Sequence, residues 1–190
     1  MRPIKHAYNP VSLDYVKVFL VDRQAEPMLE VLGRRVVETI KKGGKVLVMC
    51  MGNDMRGDDA FGIIVYDLLA KRGVRNVLSV GETPENYIGV IQQLNPSLLI
   101  VVDALLGVPP GEIRVLNMQD LEDTPLLSTH SLPLSLIVRL VGIEEKQVLI
   151  VGCGVSKLGL GEEPSEEVTR NARRLAEFLA GLLTKKEEAL

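Results

Sequence analysis

Four short, almost continuously apolar runs recur along this chain, each followed by a polar turn. They occupy residues 45–51, 76–80, 97–102 and 147–152. Runs of this length without polar alternation are typical of parallel strands that are covered on both faces. Helical patterns follow them at residues 59–72, 85–94, 133–141 and 165–183. Because strands alternate with helices, we expect right-handed crossovers and a single-domain three-layer α/β/α sandwich with a mostly parallel twisted sheet.

The rest of the chain suggests a division into two parts. Residues 44–190 form the α/β domain in this interpretation, and residues 1–43 form an N-terminal extension that contains a helix at 24–42. Residues 16–21 favour a short strand within that extension, and residues 111–118 favour an additional strand in the domain.

Composition restricts the possible partners and location. The formal charge of −3 gives no attraction for a phosphate backbone, so we expect no nucleic-acid partner. No apolar run approaches the roughly 18 residues of a membrane span, and the first residues lack the apolar centre of a signal peptide. Cys50 and Cys153 lie at apolar runs without CxxC spacing, which predicts buried structural thiols. We expect a cytoplasmic monomer.

The polar turn at residues 52–62 is the first candidate for chemistry. It carries three Asp, one Arg and three Gly, and it follows directly after an apolar run. Ligands of α/β proteins bind where strands end, so acids in this turn are well placed. Asp is a preferred N-cap residue, and we expect either Asp58 or Asp59 to cap the helix that follows. The other carboxylate then has no structural requirement.

Two more polar residues extend this candidate site. Asp103 directly follows the third apolar run, and His130 lies in the polar segment 128–133 before a helix. Alone, Asp103 reads as a strand-terminating residue and His130 as a helix-start residue. Together with Asp59 they offer two hard oxygen ligands and one imidazole, a set that suits a divalent metal. The chain has no HExxH, GxSxG, P-loop or GxGxxG motif.

Several segments, taken in order, resemble one enzyme family, the maturation endopeptidases of NiFe-hydrogenases. The matching segments are Gly52-Asn53, Gly57-Asp58-Asp59 with Gly62, Pro84-Glu85-Asn86, Val102-Asp103-Ala104, Pro110-Gly111-Glu112-Ile113-Arg114 and Thr129-His130-Ser131-Leu132-Pro133-Leu134. The family removes the C-terminal tail of the hydrogenase large subunit. The resemblance is strongest to the branch that serves formate-hydrogenlyase-type hydrogenases.

The resemblance implies an aspartyl-type endopeptidase with a single α/β domain. The family's metal-contacting positions fall on Asp59, Asp103 and His130. The metal is nickel carried by the precursor substrate, and no intrinsic cofactor is expected. Asn53, Asp58 and Thr129 are secondary candidates. We expect the three main side chains to share one ion's coordination radius and to face water at the rim of the sheet.

Three other functions fit parts of the pattern. One is a metallopeptidase or amidohydrolase with its own catalytic metal, and another is a nickel-sensing maturation chaperone that binds without cutting. The third is a nucleotide-binding module, which the acidic turn disfavours because its carboxylates repel phosphate. Within the resemblance, hydrolysis has two routes: the metal polarises the scissile carbonyl or activates water, or a carboxylate acts as general base.

Overall fold

The computed structural model describes residue 16, residues 27–127 and residues 132–184. Over these residues the chain alternates between strands and helices as expected. In chain order, the elements are α1 (Pro27–Lys41), β1 (Val46–Met51), α2 (Phe61–Lys71), β2 (Val77–Gly81), α3 (Ile88–Leu94), β3 (Leu98–Leu105), β4 (Ile113–Leu116), α4 (Leu134–Val141), β5 (Val148–Gly154) and α5 (Glu166–Leu183).

These elements confirm the predicted strands and helices, with ends that shift by a few residues. Short 3-10 turns at Gly57–Ala60 and Pro84–Tyr87 replace the first residues of two predicted helices. The additional strand is confirmed as β4, although it is shorter than residues 111–118. The short strand expected at 16–21 lies outside the described residues apart from Val16, which is helical.

The described strands form one sheet in the order β2-β1-β3-β5-β4. Strands β1, β2, β3 and β5 are parallel, and β4 pairs antiparallel with β5. The turn before β4 is fastened to the end of β5, because the Gly111 N–H donates to the Gly154 carbonyl at 2.9 Å. The mostly parallel sheet is therefore confirmed, with one reversed strand at its edge.

Each face of the sheet is covered by its own helices, which gives the three predicted layers. Helices α1, α2 and α5 share one apolar core with alternate strand residues such as Cys50 and Val102. Helices α3 and α4 cover the other face, where Met49 and Val101 are buried. These cores are mainly aliphatic, and each fully buried Leu, Ile or Val contributes roughly 1.5–3 kcal/mol.

Helix α1 belongs to the first of these cores. Its apolar stripe is buried, and its members are Leu29, Leu32, Val36 and Val37. The helix packs against β1, β4 and α5. The segment that we expect to be an N-terminal extension therefore contributes a helix to the same core as the sheet.

Parallel strands end at one common edge of the sheet, here called the carboxyl edge. From β1 the chain passes through α2 to β2 on one side, whereas β3 lies on the other side of β1. Ligands of open α/β sheets bind at such a switch in strand order. No helix in the described part of the chain is long and apolar enough to cross a membrane.

Candidate active site

Asp59 lies in the 3-10 turn that joins β1 to α2. A hydrogen bond of 3.1 Å from the Asn53 N–H to the Asp59 carbonyl closes this loop at its base. Gly52 adopts a φ of +128°, and a Cβ added there would lie 2.1 Å from the Asp59 carbonyl oxygen. Residue 52 must therefore be glycine for Asp59 to come so close to the end of β1.

The first turn of α2 rests directly on the switch between β1 and β3. A Cβ on Gly62 would lie 2.1 Å from the Met51 carbonyl oxygen and 2.7 Å from the Val102 carbonyl oxygen. The helix backbone thus touches both strands at once. This contact holds Asp59, three residues earlier, beside the end of β3 that carries Asp103.

Asp103 lies near the carboxyl end of β3, where its register partner on β5 is Gly152. Its Oδ1 accepts a hydrogen bond of 2.8 Å from the Ala104 N–H. Burial raises the pKa of the neighbouring Cys50 thiol, and the negative charge of Asp103 raises it further. Asp103 is therefore electrostatically coupled to β1 as well as being part of β3.

Both carboxylates are buried, which corrects one expectation. Asp59 is 1% exposed and Asp103 is 0% exposed. The prediction that they face water at the rim is wrong for these two residues. Two buried acids therefore lie near the β1–β3 switch in strand order.

His130 and Thr129 lie outside the described residues. The segment that leads to them is fastened beside Asp103. The Leu127 N–H donates to the Ala104 carbonyl at 3.0 Å, and the Leu106 N–H donates to the Pro125 carbonyl at 3.1 Å. The described residues alone contain no group of three His, Cys, Asp or Glu side chains that could hold a metal. The role of His130 stays a prediction.

Asp58 has a different task from the one expected. Its Oδ2 accepts hydrogen bonds from the backbone N–H groups of Ser156 at 2.8 Å and Lys157 at 3.0 Å. The Ser156 hydroxyl donates to the same oxygen at 3.2 Å, and the Ser165 N–H donates to Oδ1 at 2.7 Å. Burial opposes ionisation of Asp58, but these backbone donors outweigh it and lower its pKa.

The predicted cap is therefore wrong for both acids. The N-cap positions of the 3-10 turn and of α2 are Arg56 and Ala60, and neither makes a side-chain cap hydrogen bond. Asp58 instead fastens the loop after β5 to the loop after β1. These two loops are about a hundred residues apart, and no sequence pattern predicted the contact between them.

Asn53, one of the secondary candidates, supports the turn. Its Oδ1 accepts a hydrogen bond of 2.9 Å from the Met55 N–H, and its Nδ2 donates to Glu82 Oε2 at 2.9 Å. Glu82 follows β2 and is not among the predicted site residues. Its signal was the same as that of Asp103, an acid at the end of an apolar run.

Comparison with known proteins gives the family. The family model for hydrogenase maturation protease, HycI, matches residues 65–181, a range that includes Asp103 and His130. The chain belongs to the hydrogenase maturation protease family. This maturation protease is 33% identical over 109 residues to the hydrogenase 3 maturation protease of Escherichia coli K12, covering 56% of this chain and 70% of that protein.

Solved structures of hydrogenase maturation proteases share its fold. The NiFe-hydrogenase maturation protease HycI from Thermococcus kodakarensis KOD1 matches with a TM-score of 0.64 and 36% identity, over 79% of this chain and 99% of that one. The solution structure of the endopeptidase HycI from Escherichia coli matches with a TM-score of 0.63 and 27% identity, over 72% and 90% of the two chains. These matches confirm the α/β fold and the predicted peptidase activity.

Proposed function

We propose that this maturation protease removes the C-terminal tail of a NiFe-hydrogenase large subunit precursor after nickel has been inserted. The names of its relatives support the hydrogenase substrate. The observation that carries the proposal is the burial of Asp59 and Asp103 at the β1–β3 switch. One of these carboxylates follows β1 and the other lies on β3, and in the proposal both serve as hard oxygen ligands for a divalent cation.

The third ligand in the proposal is His130. It is the third residue after Leu127, whose N–H is bonded to the Ala104 carbonyl. A fully extended chain spans at most about 10 Å over three residues. This anchor point is compatible with His130 as the third ligand, and an imidazole together with two carboxylates completes the proposed set.

The nickel in this proposal belongs to the substrate, and the protease supplies no cofactor of its own. Asp59, Asp103 and His130 recognise the nickel of a nickel-loaded precursor. The protease therefore binds the loaded precursor more tightly than the nickel-free one, and this difference in affinity selects the substrate. Hydrolysis then follows one of two routes. Either a carboxylate takes a proton from the attacking water, or the substrate's nickel polarises the scissile carbonyl.

We place this step in the cytoplasm. Cys50 and Cys153 are both buried thiols that form no disulfide, as is common in a reducing compartment.

The test is cleavage of nickel-loaded and nickel-free large subunit precursor, with the products weighed by mass spectrometry. We expect loss of the C-terminal tail from the loaded precursor alone. Equal cleavage of both precursors would contradict nickel recognition. An intact loaded precursor would contradict the proposed substrate.

Asp103→Asn tests the site itself. It keeps the size and one acceptor oxygen of the side chain but removes its charge, and we expect processing to fall at least about 100-fold. Asp67→Asn is the matched control, because Asp67 is an exposed acid on α2 and should leave processing unchanged. Wild-type rates in Asp103→Asn would remove this residue from the site.

A further inference from the structure

Three exposed apolar side chains lie on loops at the carboxyl edge, the edge where the two buried acids lie. Large apolar side chains that are exposed are few in the described part of the chain, and half of them lie on loops at the carboxyl edge. These are Met55, Leu106 and Leu160, which are 61%, 36% and 76% exposed. The others lie on helix surfaces, at Val31, Val90 and Leu140.

The loops that carry Met55 and Leu160 are joined into one unit. The Gly161 N–H donates to the Met55 carbonyl at 2.7 Å, and the Gly57 N–H donates to the Glu162 carbonyl at 3.1 Å. The Asp58 carboxylate adds its own bonds to the second loop. Two exposed apolar side chains are therefore presented by backbone that is already ordered, which reduces the entropy lost when a partner covers them.

Two of these side chains are close in sequence to the buried acids. Met55 lies four residues before Asp59 in the same loop, and Leu106 lies three residues after Asp103. The Leu106 N–H is fixed by the Pro125 carbonyl at 3.1 Å. A polypeptide that reaches Asp59 and Asp103 approaches the edge of the sheet where the loops with Met55 and Leu106 leave β1 and β3.

We propose that Met55, Leu106 and Leu160 form an apolar docking rim for the precursor polypeptide, in which they contact apolar side chains beside the scissile bond. This inference rests on the proposed function. The precursor is the favoured occupant because a second copy of the chain bound on this rim would close the route to Asp59 and Asp103. Exposed apolar residues at a binding surface are typical of such contacts.

The experiment compares Met55→Gln/Leu160→Gln with wild type, using initial rates over a series of nickel-loaded precursor concentrations. We expect KM to rise about tenfold, with kcat within about twofold of wild type, because the rim binds substrate without taking part in the chemistry. Leu140→Gln is the matched control. It replaces an exposed apolar residue near the end of α4, at the opposite edge of the sheet, and should change neither constant.

Each outcome has a separate meaning. Wild-type protease that leaves the precursor intact overturns the proposed function, and the docking rim with it. Wild-type cleavage combined with an unchanged KM in the double variant overturns the rim alone. If sedimentation shows that the wild type is a dimer and the double variant a monomer, the rim binds a second copy of the chain. That result would also overturn the proposed docking of the precursor. If the double variant unfolds, Leu160→Gln alone repeats the test at the more exposed position.

Discussion

The Oδ1 atom of Asp58 accepts a hydrogen bond of 2.7 Å from the backbone N–H of Ser165, a residue 107 positions later in the chain. Ser165 is also the N-cap of α5, where its hydroxyl oxygen accepts a bond from the Val168 N–H. One carboxylate therefore connects the start of the last helix to the turn that holds Asp59. The position of a candidate catalytic acid depends on its direct neighbour in sequence.

Asp58→Asn should lower the stability of the protein. An amide keeps one acceptor oxygen but turns an NH₂ group toward backbone donors that the carboxylate now satisfies. We expect the free energy of unfolding to fall by about 2–4 kcal/mol. Urea unfolding measures it, with the exposed Asp67→Asn as the control that should change by under about 0.5 kcal/mol. A loss as small as that of the control would mean that these bonds contribute little.

The same carboxylate should make stability depend on acid pH. Its pKa is lower in the folded protein than in the unfolded chain, so its contribution is complete above the unfolded value, about 3.9. The contribution is lost as the pH falls below that value and through the folded pKa. The difference in unfolding free energy between wild type and Asp58→Asn should therefore shrink as the pH falls from about 4 to about 3. A difference that stays constant over this range would contradict the assignment.

Gly62→Ala should disrupt the contact between α2 and the sheet. The added methyl group would meet the carbonyl oxygens of Met51 and Val102, which are backbone atoms that cannot rotate away. We expect a loss of at least about 3 kcal/mol in unfolding free energy and a matching loss of processing. Gly89→Ala is the control: its added Cβ would meet nothing within 4 Å on α3, so stability should stay equal or rise by about 0.5–1 kcal/mol. Similar melting temperatures for the two variants would refute the close approach.

Cys50 and Cys153 should resist alkylation in the folded protein. Both thiols are buried, and burial together with the Asp103 charge raises the pKa of Cys50, which keeps it in the unreactive protonated form. Iodoacetamide at pH 8 should leave both thiols unmodified in native buffer and modify both in guanidinium chloride, as mass spectrometry would show. Rapid native labelling of Cys50 would place it in contact with solvent.

Local patterns predicted most of the architecture because the strands are buried on both faces. The continuous apolar runs that end at Met51 and before Asp103 leave little choice of element, and the acids after them mark the carboxyl edge. The burial pattern of β4, by contrast, does not alternate, since Ile113 and Leu116 at its ends are buried and the two residues between them are half-buried. This short strand lies at the edge of the sheet, where its pairing with β5 has no signal in the sequence.

The candidate site was predictable only in part, because some of its contacts join residues that are far apart in the sequence. Asp59 follows β1 and Asp103 lies near the end of β3, and the alternation of strands and helices predicts that such strand ends share one edge of the sheet. The alternation does not predict the order of the strands, so the adjacency of β1 and β3 is known only from the structure. The role of Asp58 depends on backbone groups of Ser156, Lys157 and Ser165, and backbone donors have no signature in sequence. The metal contacts of all three predicted ligands, including His130, stay a prediction.

Helix α1 sets a practical limit on how far this protein can be shortened. Its side chains Leu32 and Val36 are fully buried in the core that α1 shares with the sheet and α5. Without α1, the apolar surface that they cover would be exposed to solvent. A shortened polypeptide of residues 44–190 retains every proposed ligand, yet it should bind hydrophobic dyes and precipitate. The folded unit thus starts upstream of the first strand, well before any of the proposed ligands.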